Sequence, residues 1–281
     1  MQNGKVSIII PFKNTAHFLP ECLDSIVNQT YIDWEVLAVN DHSTDTSLEL
    51  LSSYSQRDKR IKVFQNNGNG IIPALQTAFA QSSGGFVTRM DSDDIMEPNR
   101  LEVMVNSLIK YGKEHVAVGK VKYFSNRGIS NGYQRYEEWL NQLTSTGNNF
   151  EEIYKECVIP SPCWMVYRSD FEQSKGFEPK RYPEDYDLTF RFYEHGFKII
   201  PCDQVLHLWR DYDTRTSRTH EHYAQNYFLD IKLHYFLKLD YDKNRPLVVW
   251  GAGFKGKKIA KGLKKQGLDF IWLCDNPKKI G

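Results

Sequence analysis

The sequence predicts an α/β fold: a doubly wound, mostly parallel sheet, followed by a partial βαβ unit. Three observations predict it. Apolar runs of strand type alternate with segments of helical period from Val6 to Tyr111. The first run, Val6-Ser7-Ile8-Ile9-Ile10-Pro11, has the nearly continuous apolar pattern of a strand covered on both faces. After Pro246 the alternation begins afresh around a glycine-rich turn.

The elements follow in order. Val6 to Pro11 is the first strand, stopped by proline. Phe18, Leu19, Cys22, Leu23, Ile26 and Val27 then recur at helical spacing, behind Asn14 or Thr15 as N-cap. Trp34 to Asn40 is the second strand. It ends in Asp41-His42-Ser43-Thr44-Asp45, a polar turn able to cap a helix from Thr46 to Arg57. Ile61 to Gln65 is a third strand, Asn66 to Gly70 a turn, and Ile71 to Gln81 a helix. Gly85 to Met90 is the fourth strand, and a helix from Pro98 to Tyr111 opens with proline near its first turn.

Beyond residue 115 the pattern loosens. It gives a strand Val116 to Phe124, helical pieces near 134–144 and 150–157, and a strand Cys163 to Arg168. A helix Asp185 to His195 and an edge strand Lys198 to Pro201 follow. Tyr223, Tyr227, Ile231 and Tyr235, with Phe228, Phe236 and Leu239, mark an apolar stripe on a long helix, read as core packing. A polar linker over 239–246 leads to strand Leu247 to Trp250, helix Lys257 to Gln266 and strand Phe270 to Cys274. The expected domains are therefore 1–240 and 241–281. One βαβ unit cannot bury both faces of its sheet, so the natural chain is expected to continue past Gly281.

Composition narrows the function. A net charge of +1 over 281 residues gives no global field for nucleic acid. No apolar run approaches the ~18 residues of a membrane span. Five scattered cysteines without a C-x-x-C pair argue against zinc or a disulfide framework and fit a cytoplasmic protein.

The run Arg89-Met90-Asp91-Ser92-Asp93-Asp94 is the most informative stretch. Acids are disfavoured in a core, so these should project from the carboxyl end of the fourth strand, where open α/β sheets bind ligands. Asp91 and Asp93, one residue apart, suit one hard cation, Mg²⁺ or Mn²⁺, with open positions for phosphate oxygens. A solvated acidic turn is the plain alternative. Glu184-Asp185 stand at a helix start behind Pro183; they could serve as a base or simply cap the helix. In the tail, Gly251-x-Gly253-x-x-Gly256 follows a strand, and Asp275 ends the next one, the context of a Rossmann-like dinucleotide fingerprint.

Four motifs occur in order: Val6 to Asn14; Val39-Asn40-Asp41-His42-Ser43-Thr44-Asp45; Met90-Asp91-Ser92-Asp93-Asp94; and Pro183-Glu184-Asp185-Tyr186-Asp187-Leu188. Together they resemble the family 2 glycosyltransferases, inverting enzymes of the GT-A fold, over about residues 4–220. The resemblance implies a nucleotide-sugar donor, usually a UDP-sugar, a divalent metal, and a glycan or lipid-linked hydroxyl acceptor, the last with peripheral contact at the inner face of the cell membrane. It implies a base pocket of Pro11, Phe12 and Asn14, with Asp41 accepting a hydrogen bond from uracil. It gives Asp93 and Asp91 as metal ligands, Asp91 also contacting ribose, and Asp185 as base beside Glu184. Arg210, Arg215 and Arg218, in a loop that closes over the diphosphate, would meet phosphate oxygens; Arg89 would meet phosphate or form a salt bridge at the strand end. Trp164 and Tyr182, with Trp139, are candidates for stacking on acceptor sugars.

The sequence departs from the family pattern twice. Asn40-Asp41-His42-Ser43 replaces Asp-Asp-Gly-Ser, and no histidine stands near Tyr212 to complete the metal shell; His207, His220 and His222 are the nearby substitutes. The rival readings are a nucleotidyltransferase, which would show a basic glycine-rich loop after the first strand where only Lys13 stands, a NAD-linked oxidoreductase, and a catalytically inactive sugar-binding module.

Overall fold

Eight strands form one sheet in the order β3-β2-β1-β4-β7-β6-β8-β5 in the computed structural model, which describes residues 4–179, 181–215 and 228–276. The strands are β1 (Val6–Phe12), β2 (Trp34–Asn40), β3 (Ile61–Gln65), β4 (Phe86–Arg89), β5 (Ile95–Met96), β6 (His115–Phe124), β7 (Trp164–Tyr167) and β8 (Lys198–Arg210). The helices between them are α1 (Leu19–Val27), α2 (Ser47–Arg57), α3 (Ile71–Ala80), α4 (Arg100–Tyr111), α5 (Asn131–Thr146), α6 (Arg168–Gln173) and α7 (Glu184–Glu194). β1 pairs in parallel with both β2 and β4, and β2 with β3. β6 and β8 are also parallel, whereas β7 runs antiparallel to β4 and β6. The sheet is thus mostly parallel, as the alternation predicts.

β1 is fully apolar on the face carrying Val6, Ile8, Ile10 and Phe12, and that face anchors the core with Leu19, Leu23 and Ile26 of α1. Strand order reverses at β1: β2 and β3 lie on one side, β4 on the other. The carboxyl ends of β1, β2 and β4 therefore meet at a topological switch point, the place where α/β sheets take ligands.

Several expected elements differ. Neither Asn14 nor Thr15 caps α1. The helix starts at Leu19 with Phe18 at the cap and no side-chain hydrogen bond there. Asn14 instead adopts φ 54° and accepts from the Thr44 amide at 2.7 Å, tying β1's end to the next loop. The 150–157 piece is a short 3₁₀ turn, Asn149–Glu152. The Lys198–Pro201 edge strand is the start of a 13-residue strand inside the sheet, with β5 on the edge.

The chain divides into two compact units, Met1–Lys180 with Glu184–Tyr212, and Arg181–Pro183 with Asp213–Gly281. In the second unit α8 (Leu229–Tyr235) runs into a π turn, Phe236–Asp240. Of the proposed stripe, Ile231 and Tyr235 are buried, while Tyr223 and Tyr227 lie outside the described residues. β9 (Val248–Trp250) and β10 (Ile271–Leu273) pair in parallel across α9 (Phe254–Lys265), completing the tail βαβ. Gly256 is required there, because a Cβ would strike the Gly251 carbonyl. No helix among the described residues is long and apolar enough to cross a membrane.

Candidate active site

Asp41 leaves β2 with 6% of its surface exposed. Its Oδ1 accepts from Asn66 Nδ2 at 2.6 Å and from the Gly70 amide at 2.9 Å, and Lys13 Nζ stands 3.5 Å from Oδ2. Burial alone would raise this carboxyl; Asn66, Gly70 and Lys13 outweigh it and hold it below the usual range. The family departures beside it have structural work. Asn40 bonds Gln65 and accepts the Ser43 amide, and His42, at φ 57°, is held by the Gly68 carbonyl at 2.8 Å. Asp45 accepts from Ser47 and Ala16 amides, the turn-forming role.

The acidic loop stands at the end of β4. Arg89, buried, places Nη2 2.9 Å from Asp91 Oδ1 and donates Nη1 to Glu184 Oε1 at 3.2 Å. Burial works against its charge, but Asp91, Glu184 and Asp185 keep it protonated. This arginine joins the acids after β4 to the first residue of α7 across 95 residues of sequence. Asp93 is half-buried; its Oδ2 accepts from the Tyr212 hydroxyl at 2.8 Å. Asp185 sits half-buried in the first turn of α7 and accepts the Tyr186 amide at 2.8 Å. Burial, then the negative charge of Glu184, push its carboxyl up to about 7, against the pull of Arg89. Its surroundings thus raise its basicity.

Other assigned residues lie elsewhere. Phe12 is 2% exposed and belongs to the core, so its ring does not line a base pocket; its carbonyl instead accepts the Asp41 amide. Pro11 is half-buried on the opposite face of β1. Arg210 is engaged with the acidic loop and α1. Its Nε donates to the Asp93 carbonyl at 2.7 Å and its Nη2 pairs with Glu21. Trp164, 2% exposed, donates to the Ser161 carbonyl and packs on Phe171 and Phe192, so its faces are not open to a sugar. Trp139 donates to Glu152 and packs on Tyr136. Tyr182 is exposed and belongs to the second unit. Arg218, His220 and His222 lie outside the described residues.

No cluster of three or more histidine, cysteine or acidic side chains able to cage a metal occurs among the described residues. The donor set still fits a hard cation. Asp91 and Asp93 offer two carboxylates, and such an ion takes the rest of its shell from waters and phosphate oxygens.

The fold and the site define an α/β protein with acids at the carboxyl end of β4 joined through Arg89 to the acidic start of α7. Residues 7–174 match the family described as Glycosyl transferase family 2. The chain belongs to that family. It is 41% identical over 229 residues to an uncharacterized glycosyltransferase of Haemophilus influenzae, covering 77% of this chain and 68% of that protein. It is 33% identical over 211 residues to a chondroitin synthase of Pasteurella multocida, covering 72% of this chain and 20% of that one. A glycosyltransferase GlyA of Streptococcus pneumoniae is 28% identical over 74% of this chain and 31% of its own length. This chain thus spans about a third or less of several of its curated relatives. In fold it is similar to S. aureus TarS 1-349 solved with UDP-GlcNAc: TM-score 0.64, 21% identity, 85% of this chain and 68% of that one. It is also similar to the mannosyltransferase PcManGT of Pyrobaculum calidifontis solved with GDP-Man and Mn²⁺: TM-score 0.57, 18% identity, 86% and 66% of the two chains. These likenesses establish the GT-A type fold.

Proposed function

We propose that the chain transfers a sugar from a nucleotide-diphosphate donor, a UDP-sugar, to a hydroxyl acceptor with inversion, in glycan or surface-polysaccharide synthesis. The observation that carries the reading is the bonded series Asp91–Arg89–Glu184, which brings the acids after β4 beside Asp185 on α7. A relative that makes chondroitin and a fold neighbour solved with UDP-GlcNAc support the donor class.

Asp41, fixed as an ionised acceptor, would take the imide N–H of uracil. Pro11 and the backbone of Asn14 would flank the base. Asp93, with Asp91, would hold Mn²⁺ or Mg²⁺, which when bound neutralises charge on the departing diphosphate. Arg89 keeps Glu184 and Asp91 in register. Above pH about 7 Asp185 is ionised and can accept a proton. The acceptor oxygen attacks the anomeric carbon and forms the new C–O bond. The bond from that carbon to the diphosphate oxygen breaks, UDP leaves with the electron pair, and the hydroxyl proton passes to Asp185. A lipid-linked acceptor would place the protein at the inner face of the membrane.

The test is UDP release from a panel of UDP-sugars with Mn²⁺ and with EDTA. Metal-dependent UDP release supports the reading. Release of inorganic pyrophosphate from UTP and a sugar-1-phosphate, supplied in a parallel reaction, would instead identify a nucleotidyltransferase, and tight UDP binding without turnover an inactive binding module.

A further inference from the structure

Arg100 is an arginine on the apolar stripe of α4, among Leu101, Met104 and Leu108, and is fully buried. Its Nη2 donates to Thr88 Oγ1 at 3.0 Å, to the Arg89 carbonyl at 3.1 Å and to the Pro162 carbonyl. Its Nη1 lies 2.9 Å from His207 Nδ1. A guanidinium only donates, so Nδ1 must accept and the ring hydrogen sits on Nε2. That Nε2–H meets Asp94 Oδ2 at 2.9 Å, and the other Asp94 oxygen accepts the Arg210 amide at 2.8 Å. His207 and Asp94 are also fully buried.

We infer that Arg100, His207 and Asp94 form a positioning relay for the acidic loop: Arg100 sets the histidine tautomer, and the histidine sets Asp94, which locks the loop after β4 to the end of β8. The inference rests on the proposed cation site at Asp93 and Asp91. Asp94 and His207 are thereby assigned outside the metal shell, one layer behind it. Asp93 follows from the lock, because Arg210, aligned through its own amide on Asp94, donates Nε to the Asp93 carbonyl. Outer-layer partners of this kind typically change metal affinity about 10–100-fold when removed.

Two substitutions separate the links. In His207→Asn the amide oxygen can replace Nδ1 and keep the acceptor for Arg100 Nη1, while the donor to Asp94 is lost. In His207→Gln the amide nitrogen can replace Nε2 and keep Asp94, while the acceptor for Arg100 is lost. Each leaves one buried group unsatisfied, so a purely structural role predicts similar losses in both. UDP affinity is measured by calorimetry at several Mn²⁺ concentrations and in EDTA, with Tm alongside. The relay predicts about a tenfold rise in the half-saturating Mn²⁺ concentration for His207→Asn, and a value within about threefold of wild type for His207→Gln. Equal shifts in both, or none in either, overturn it. Should the histidine variants not fold, Asp94→Asn carries the test: the same loss supports the relay, and unchanged Mn²⁺ dependence refutes it. If wild type itself binds UDP equally with and without Mn²⁺, the cation site falls and the inference falls with it.

Discussion

Glu184→Gln should move the acid limb of the pH–rate profile downward. Asp185 stands at about 7 against an ordinary 3.8, raised by burial first and by Glu184 second. The base works only when ionised, so wild-type kcat/KM should fall as pH drops below about 7. Replacing Glu184 removes the like charge and leaves burial in place. It also frees more of the Arg89 charge, now 3.2 Å from Glu184, to favour ionised Asp185. Both effects lower the Asp185 pKa. A shift of about 1 unit is expected, equivalent to about 1.4 kcal/mol of differential interaction. The assay is UDP release from a saturable UDP-sugar over pH 5 to 9 at fixed Mn²⁺, read as kcat/KM, which reports the free enzyme. A limb that stays in place, or moves upward, refutes the electrostatic account of Asp185.

Asp185→Asn should lower kcat about 10²–10⁴-fold with UDP binding retained, checked by turnover and calorimetry. The same variant should be more stable at pH 8. A carboxyl raised on folding contributes stability present below its unfolded pKa and lost as pH rises through its folded value of about 7. The gain, about 1–2 kcal/mol after screening of this half-buried group, should vanish below pH 4 in urea melts. Asp93→Ala should abolish the difference between turnover in Mn²⁺ and in EDTA; persistence of that difference would place the cation elsewhere. Gly84→Ala should destabilise by about 1–3 kcal/mol, since a Cβ there would meet the Lys5 carbonyl and lie 2.7 Å from the Ser7 nitrogen; an unchanged Tm would show that this strand entry can relax.

The first half of the sheet was legible because β1 to β4 are short apolar runs closed by polar turns, and their ends fall within about two residues of the pattern. β8 was not, because Pro201, Asp203 and Gln204 interrupt its apolar pattern, and its partner β6 shifts register at Gly119 and Lys120. β5 has two residues, too few for any period. In the site, acids could be found by type and position, since Asp41, Asp91, Asp93 and Asp185 each sit at an element's end. Direction could not be read. Phe12, Trp164 and Arg210 have the right chemistry for their expected roles, but their side chains are committed to the core, to Ser161 and to the Asp93 loop. The Arg100–His207–Asp94 relay was missed although one signal was present: an arginine at the i position of an apolar i, i+4 stripe with Met104 needs buried acceptors.

The most direct measurement is a crystal structure with Mn²⁺ and an unreactive UDP-sugar analogue, located by the manganese anomalous signal. The account predicts the ion about 2 Å from an Asp93 oxygen, uracil on Asp41, and the anomeric carbon facing Asp185 with room for one hydroxyl between. A sugar turned away from Asp185, or an ion bound away from Asp93, would contradict it.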